Sequence, residues 1–308
     1  MFASRAIEKM ALRRMYSIHS SSKQKTIPDL FKKYHAKEPI SMITAYDYIT
    51  ATWAQAAQAD IVLIGDSLAM STLGHVSTVD LGLEEFQYHV RAACRAPGSS
   101  FIIADMPYGS FERSVEQGVD TAISLMKASH KVGAVKLEVG PEENDYCLEL
   151  AAELCRRGIP VMGHVGLTPQ RMHALGGYKV QGAKDLGQAL AAYRRAKDLQ
   201  AVGCFSILIE CIPAKIASVI TEKLSIPTIG IGAGPQTSGQ VLVQSDLLGM
   251  LPGKPPKFVQ KYADFHGDAI RSLSAYIGDV REGAFPKTGQ HTFTVSDDLL
   301  EEFCKQVE

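Results

Sequence analysis

Short apolar runs alternate with longer amphipathic stretches along this chain from residue 38 onward. The runs are ISMITAY (40–46), IVLIGD (61–66), FIIADMP (101–107), AVKLEV (134–139), PVMGHV (160–165), SILIEC (206–211), PTIGIGAG (227–234) and the weaker QVLVQSD (240–246). Rich in β-branched residues and bounded by Gly, Pro and Asp, they predict strands. Segments 49–58, 84–95, 114–130, 142–157, 185–202 and 213–223 predict helices between them. In AVKLEVG, strand alternation puts Val135, Leu137 and Val139 on one face and Lys136 and Glu138 on the other. Lys and Glu are rarely buried without a partner. Their face is therefore either in water or inside a polar cavity, and one strand alone does not decide which.

Strands alternating with helices imply parallel pairing through right-handed crossovers. Eight such units in roughly 250 residues fit an α/β fold, a (β/α)8 TIM barrel. The competing doubly wound sheet would carry an early G-x-G-x-x-G after its first strand, and none is there. No Pro/Gly/Ser-rich linker divides the chain, so one catalytic barrel domain is expected over 26–285, with a C-terminal tail over 286–308.

Composition narrows the function classes. With 308 residues, 46% of them hydrophobic, the chain can bury a sizeable core. Charges balance at 32 basic against 33 acidic, which argues against nucleic acid or anionic lipid as a partner. No apolar run reaches membrane-spanning length. The six cysteines are scattered without a C-x-x-C pair, which argues against a zinc ribbon or a disulfide scaffold and suits a reducing compartment. The first 25 residues differ from the rest. Arg5, Lys9, Arg13 and Arg14 face a single acid, Glu8, and Ser17, Ser20, Ser21 and Ser22 follow. That Arg- and Ser-rich, amphipathic composition reads as a mitochondrial transit peptide, cut near Ser17 and directing the chain to the matrix. The alternative is a basic tail without an address.

The polar residues cluster where a barrel keeps its chemistry, at the C-terminal ends of the strands. The second run ends in Asp66 and Ser67, the third in Asp105, the fourth carries Lys136 and Glu138, the fifth His164 and the sixth Glu210. A solvated sheet would scatter charge along every strand, so Lys136 and Glu138 read as site residues. An Asp that closes a strand can equally be a helix cap or turn former. His164 is open between a satisfied core histidine and a substrate contact. His75, His89, His130 and His173 receive no role. Asp66, Asp105 and Glu138 supply hard oxygen ligands, which suit Mg²⁺ over zinc. A 2-oxo acid could chelate that metal, which would act as a Lewis acid and stabilise an enolate. Lys136 could neutralise the substrate carboxylate, leaving Glu210 as candidate base or acid. The glycines of GIGAG, Gly230–Gly234, could cradle a phosphate or serve close packing, the latter reading being favoured.

Longer motifs join these residues. MITAYDY, GDSL, AVKLE, MGHVGLTPQ, LGGYKVQG, ECIPA, IPTIGIGAG, SGQVLV and PKFV run from about residue 40 to 262. In them the chain resembles the ketopantoate hydroxymethyltransferase family, the 3-methyl-2-oxobutanoate hydroxymethyltransferases. The resemblance implies a barrel of the phosphoenolpyruvate/pyruvate class and Mg²⁺ dependence. It implies hydroxymethyl transfer from 5,10-methylenetetrahydrofolate to 3-methyl-2-oxobutanoate, giving 2-dehydropantoate (ketopantoate) and tetrahydrofolate, the first committed step of pantothenate synthesis. It also implies a large homo-oligomer, a decamer among the options. Asp66, Asp105 and Glu138 match the family's metal-site acids, Ser67 and Lys136 its oxo-acid contacts, and Glu210 its acid/base. The substrate contacts expected from both readings are Asp66, Ser67, Asp105, Lys136 and His164. The chain departs from the family pattern at Val139, Ala69 and Val76, where Gly, Gly and Asp are usual. Two alternatives stay open: another metal-dependent oxo-acid enzyme on the same barrel, and a barrel kept as a binding module. Whether Glu210 serves the substrate's C3 or the folate also stays open.

Overall fold

The computed structural model describes residues 23–307 except 144 and 184. The eight apolar runs become eight parallel strands: β1 (Ile40–Ala45), β2 (Ile61–Ile64), β3 (Phe101–Asp105), β4 (Val132–Glu138), β5 (Val161–Gly166), β6 (Ser206–Glu210), β7 (Thr228–Ile231) and β8 (Gly239–Leu242). They pair in chain order, and β8 pairs back on β1 to close the barrel. The helices are α1 (Ile27–His35), α2 (Tyr48–Ala56), α3 (Leu68–Ser71), α4 (Leu83–Cys94), α5 (Val115–Ala128), α6 (Tyr146–Arg156), α7 (Met172–Leu175), α8 (Leu186–Ala201), α9 (Ala214–Lys223) and α10 (Gln244–Leu247). Two more, α11 (Phe265–Arg281) and α12 (Asp297–Val307), lie further along. The six long helices expected between strands are α2, α4, α5, α6, α8 and α9.

Strand alternation sorts the side chains into two cores. Outward residues such as Val62, Ile64, Val135, Leu137, Val165 and Ile209 pack with the surrounding helices in one cluster. Inward residues such as Ile40, Met42, Ile61, Phe101, Ile103, Ala134, Met162 and Ile229 fill the barrel in a second cluster. Ala134 belongs to the inner set, so Lys136 and Glu138, two and four positions on, also point inward. β4 is buried on both faces, and its charged face is the barrel interior rather than a solvated side.

The N-terminal end of the barrel is closed by α1, which the hydrophobic pattern did not single out. Thr26 precedes it, and its N–H donates to Asp29 Oδ2 at 2.8 Å, tying down the first turn. Leu30, 2% exposed, packs into the inner cluster beside Ile40, Ile61 and Phe101. The described residues before α1 are anchored as well. Gln24 Nε2 donates to the Lys131 carbonyl at 2.6 Å, and Lys25 Nζ lies 2.8 Å from Asp60 Oδ1. The transit-peptide reading of residues 1–25 falls, up to residue 22, outside the described residues.

The chain divides into two compact units, one running through Leu247 together with Lys254–Gln260, the other comprising Leu248–Gly253 and Lys261 onward. The second unit holds α11 and α12, neither of which has a buried residue. Leu273, Ile277, Leu300 and Phe303 are among its exposed apolar side chains. Among the described residues no helix is long and apolar enough to cross a membrane.

Candidate active site

A cavity of about 150 Å³ opens among the C-terminal ends of the strands in the first unit. It is smaller than the roughly 300–1,000 Å³ that takes a drug-sized ligand, which suits a small acid. Every site residue expected from the sequence lines it: Asp66, Ser67, Asp105, Lys136, Glu138, His164 and Glu210. Register explains the convergence. Asp105 on β3 pairs with Lys136 on β4, Glu138 pairs with His164 on β5, and Gly166 pairs with Glu210 on β6. Asp66 and Ser67 follow β2 through Gly65, where an added Cβ would lie 3.2 Å from Ser67 Oγ and 3.5 Å from Asp105 Oδ2. A side chain there would crowd the Ser67 hydroxyl and sit in contact with Asp105.

The well is rich in carboxylates. Asp66, Asp105, Glu138 and Glu210 face one ammonium, Lys136. Lys136 Nζ lies 3.1 Å from Asp105 Oδ1, with both side chains almost fully buried. Burial by itself would weaken the ammonium, but Asp105, Glu138 and Asp66 outweigh it, and Lys136 holds its proton firmly. Burial and the Asp66 charge push Asp105 up to about 7 despite Lys136. Burial drives Glu138 well above the ordinary carboxylate range, Asp66 and Glu210 adding to the effect. Glu210 is raised to about 7 by burial, against the pull of Lys136. Such a set is short of positive charge.

His164 links the two sides of the well. Its Nδ1 is 3.2 Å from Lys136 Nζ and its Nε2 is 3.3 Å from Glu210 Oε2. Burial and the neighbouring ammonium hold the ring neutral. An ammonium only donates, so Nδ1 must accept and Nε2 must carry the ring proton, facing Glu210. That N–H meets no aligned acceptor among the described residues. His164 is therefore not a satisfied core histidine.

Gln170, from the MGHVGLTPQ motif, has no expected role and turns out to tie the acids together. Its backbone N–H donates to Glu138 Oε2 at 3.0 Å, and its Nε2 donates to Asp66 Oδ2 at 2.8 Å and to the Met106 carbonyl at 2.9 Å. Nothing in a lone Gln signals this. The Pro169 before it was a hint, since the short turn it starts delivers both Gln170 groups at once. Thr44, Tyr178, Asp246 and Phe258 also line the cavity without having been singled out. The GIGAG glycines serve close packing: an added Cβ at Gly232 would lie 3.0 Å from the Phe258 ring, and one at Gly234 would lie 2.3 Å from Ala214 Cβ.

Backbone geometry sharpens the position of Glu210. Cys211, the next residue, has φ 49°, in the left-handed region that a non-glycine residue enters only when its surroundings impose it. Its N–H donates to the Ile231 carbonyl at 2.9 Å, and its carbonyl accepts from Gln181 at 2.9 Å. Glu210 is thus held at a sharply turned strand end between β7 and the GGYKVQG segment.

The donor set bears on a metal. Among the described residues, no three His, Cys, Asp or Glu side chains form a group that could hold a metal ion by themselves. Asp105 Oδ1 is nonetheless buried without an aligned hydrogen bond, and Asp66 uses one oxygen only, toward Gln170. Hard oxygen donors, a buried Asp105 Oδ1 met only by the Lys136 ammonium and a shortage of positive charge fit a magnesium ion. That ion takes one or two carboxylates and completes its shell with water and substrate oxygens.

Comparison with known proteins agrees with this geometry. A family model described as ketopantoate hydroxymethyltransferase matches residues 24–288. The chain is 53% identical over 286 residues to 3-methyl-2-oxobutanoate hydroxymethyltransferase of Saccharomyces cerevisiae, covering 92% of each. It is 46% identical to the protein of that name from Carboxydothermus hydrogenoformans, covering 90% of this chain and 98% of that one. Among solved structures, phosphonopyruvate hydrolase complexed with oxalate and Mg²⁺ superposes with a TM-score of 0.55 at 12% identity, covering 92% of this chain and 97% of that one. Oxaloacetate acetylhydrolase in complex with its product oxalate gives 0.56 at 13%, covering 92% and 95%. At such identities these structures establish the fold alone, a (β/α)8 barrel.

Proposed function

We propose that this chain, which belongs to the ketopantoate hydroxymethyltransferase family, uses 5,10-methylenetetrahydrofolate to hydroxymethylate 3-methyl-2-oxobutanoate. With one water consumed, the products are 2-dehydropantoate and tetrahydrofolate, the first committed step of pantothenate synthesis. Identity of 43–53% over most of the chain to enzymes of that name makes it an enzyme of this transferase class. The observation that carries the detailed reading is the inner well itself, Asp66, Asp105, Glu138 and Glu210 gathered around the Lys136 ammonium.

Asp66, Asp105 and Glu138 would hold Mg²⁺, one or two of them in contact and the rest through water. When bound, the metal supplies positive charge where negative charge develops on the substrate's keto oxygen. Lys136 and Ser67 orient the substrate, the lysine by pairing with its carboxylate. Glu210, ionised, takes the C3 proton, and its elevated affinity for protons matches that task near neutral pH. The His164 Nε2–H lies 3.3 Å from Glu210 Oε2 without an aligned bond to it, and is left to donate to the bound substrate.

The basic, Ser-rich first 25 residues support a mitochondrial matrix address. The unburied apolar residues of α11 and α12 support a homo-oligomer. The test is an assay of the purified protein with 3-methyl-2-oxobutanoate, 5,10-methylenetetrahydrofolate and Mg²⁺. We expect 2-dehydropantoate to form and EDTA to abolish it. Formation of product without added metal after exhaustive chelation, or none with it, would overturn the reading.

A further inference from the structure

Around its mouth the cavity changes character. Tyr178, Val243, Asp246 and Phe258 line it together with Met70. Tyr178 and Phe258 are 47% and 37% exposed, two aromatic rings left partly open beside a polar well. The Tyr178 phenol is made harder to ionise by burial, and its hydroxyl lies 3.5 Å from the sulfur of Met70, which also lines the cavity. Asp246 sits in α10, just after β8, half-buried. Its carboxylate is raised by burial, with no cation offsetting it. Among the described residues that carboxylate forms no ion pair, and no donor is bonded to it. A half-buried carboxylate without a donor is costly, and the cost is relieved when a ligand brings donors to it.

The ligand that fits is defined by three constraints. It must be flat and conjugated to use Tyr178 and Phe258. It must present adjacent N–H donors, because a carboxylate binds two parallel N–H groups best. It must not be anionic at the end that enters, because four carboxylates stand below it. The 2-amino-4-oxopyrimidine ring of a tetrahydropterin meets all three: it is flat and conjugated, its N3–H and 2-amino group form one donor edge, and it is neutral. The glutamate end of a folate meets none of them.

We infer that Asp246 binds the pterin edge of the folate cosubstrate, with Tyr178 and Phe258 against its ring, at the mouth of the oxo-acid well. This rests on the folate-dependent reaction proposed above and adds which end of the folate enters and which residue reads it. The glutamate tail then points to solvent. The inner well is sized for a small acid, so the one-carbon donor approaches from above, on the open side of the bound substrate.

The experiment measures tetrahydrofolate binding by calorimetry to full-length protein saturated with Mg²⁺ and 3-methyl-2-oxobutanoate. Asp246→Asn keeps the shape but offers one acceptor in place of two. It should weaken tetrahydrofolate at least about tenfold, the scale of one lost charge-assisted hydrogen bond, while Mg²⁺-dependent oxo-acid binding stays unchanged. In steady state the KM for the folate rises by the same factor and kcat at saturation changes little. A second measurement needs no variant: 6-methyltetrahydropterin should compete with tetrahydrofolate, and p-aminobenzoylglutamate should not. Wild-type affinity in Asp246→Asn, or competition by the tail fragment alone, overturns the assignment and leaves the proposed reaction standing. Failure of the unaltered protein to bind tetrahydrofolate overturns both.

Discussion

Glu210 shows how little of a residue's chemistry is written in its own letter. Its raised proton affinity comes from burial, its orientation from the strained turn at Cys211, and its neighbour's proton from the lysine on the far side of His164. Glu210→Gln keeps size but cannot accept a proton. We expect normal Mg²⁺ and oxo-acid binding and a loss of at least about 100-fold in turnover, with exchange of the C3 proton into D₂O falling in parallel. Persisting exchange with transfer lost would move Glu210 to the folate side. The base must be ionised, so the wild-type rate should rise with pH to a plateau. Its midpoint should lie at or below about 7, since the metal's charge lowers what burial raised. A second pH effect follows from Asp105 and Glu138. Their affinity for protons is higher folded than unfolded, so in the metal-free protein stability falls as pH rises from the unfolded carboxylate range, about 4, through the raised folded range, about 7 for Asp105. Magnesium must displace those protons. The rise in Tm on adding Mg²⁺ should therefore be larger at pH 8 than at pH 5 in a thermal melt, and Asp105→Asn should shrink it. An equal rise at both pH values would speak against these carboxylates as ligands.

At the scale of elements, the site depends on how β5 meets β6. Gly166 ends β5 with φ 99°, and a Cβ there would lie 2.2 Å from the Glu210 carbonyl oxygen. Gly166→Ala is strained in backbone and in space at once. We expect a cost of about 2–4 kcal/mol, read as a lower denaturant midpoint. Activity should be lost even at temperatures where the variant is folded, because the clash displaces Glu210 itself. A variant that is stable and active would show the strand end to be more pliant than its hydrogen bonds suggest. The strands themselves were legible in the sequence because a barrel strand buried on both faces leaves an unbroken apolar run. The helix α1 has an apolar stripe of its own, Ile27, Leu30 and Phe31 at i, i+3 and i+4, but it precedes β1 and so lies outside the strand–helix alternation that marked the other helices.

At the scale of the whole molecule, the question is where the folded chain begins. Asp60 collects Lys25 Nζ at 2.8 Å, Lys33 Nζ at 2.6 Å and the Ser41 N–H at 3.0 Å. Burial opposes its ionisation, yet these donors outweigh burial and hold it at about 2. A chain starting at Thr26 loses Gln24 and Lys25 and leaves Asp60 short of a partner. We expect it to be less stable than one starting at Lys23 by about 1–2 kcal/mol, a few degrees in Tm. A carboxylate with a lowered folded value contributes above the unfolded range and loses its contribution as pH falls through the folded one. The difference between the two chains should therefore narrow between about pH 4 and pH 2. Equal melting temperatures at pH 7 would show the Lys25 pairing to be inconsequential.

The alternation of apolar runs and helical segments by itself determined the barrel. Eight βα units can bury their faces in few other ways, and charge collected at strand ends marks the mouth. The same pattern determined the seven candidate site residues, because each is an ionisable or hydroxyl group closing a run that is otherwise apolar. Which side of β4 faces inward needed the closed sheet, since alternation separates Lys136 from Val135 without saying which face is wet. Gln170 and Asp246 likewise became visible only in three dimensions. The partners of Gln170 lie on other strands and loops, the residues that line the cavity with Asp246 come from distant parts of the chain, and a hydrogen bond between residues 104 positions apart leaves no spacing in the sequence. The proton on His164 was decided last of all, by a lysine 28 residues away whose ammonium can only donate.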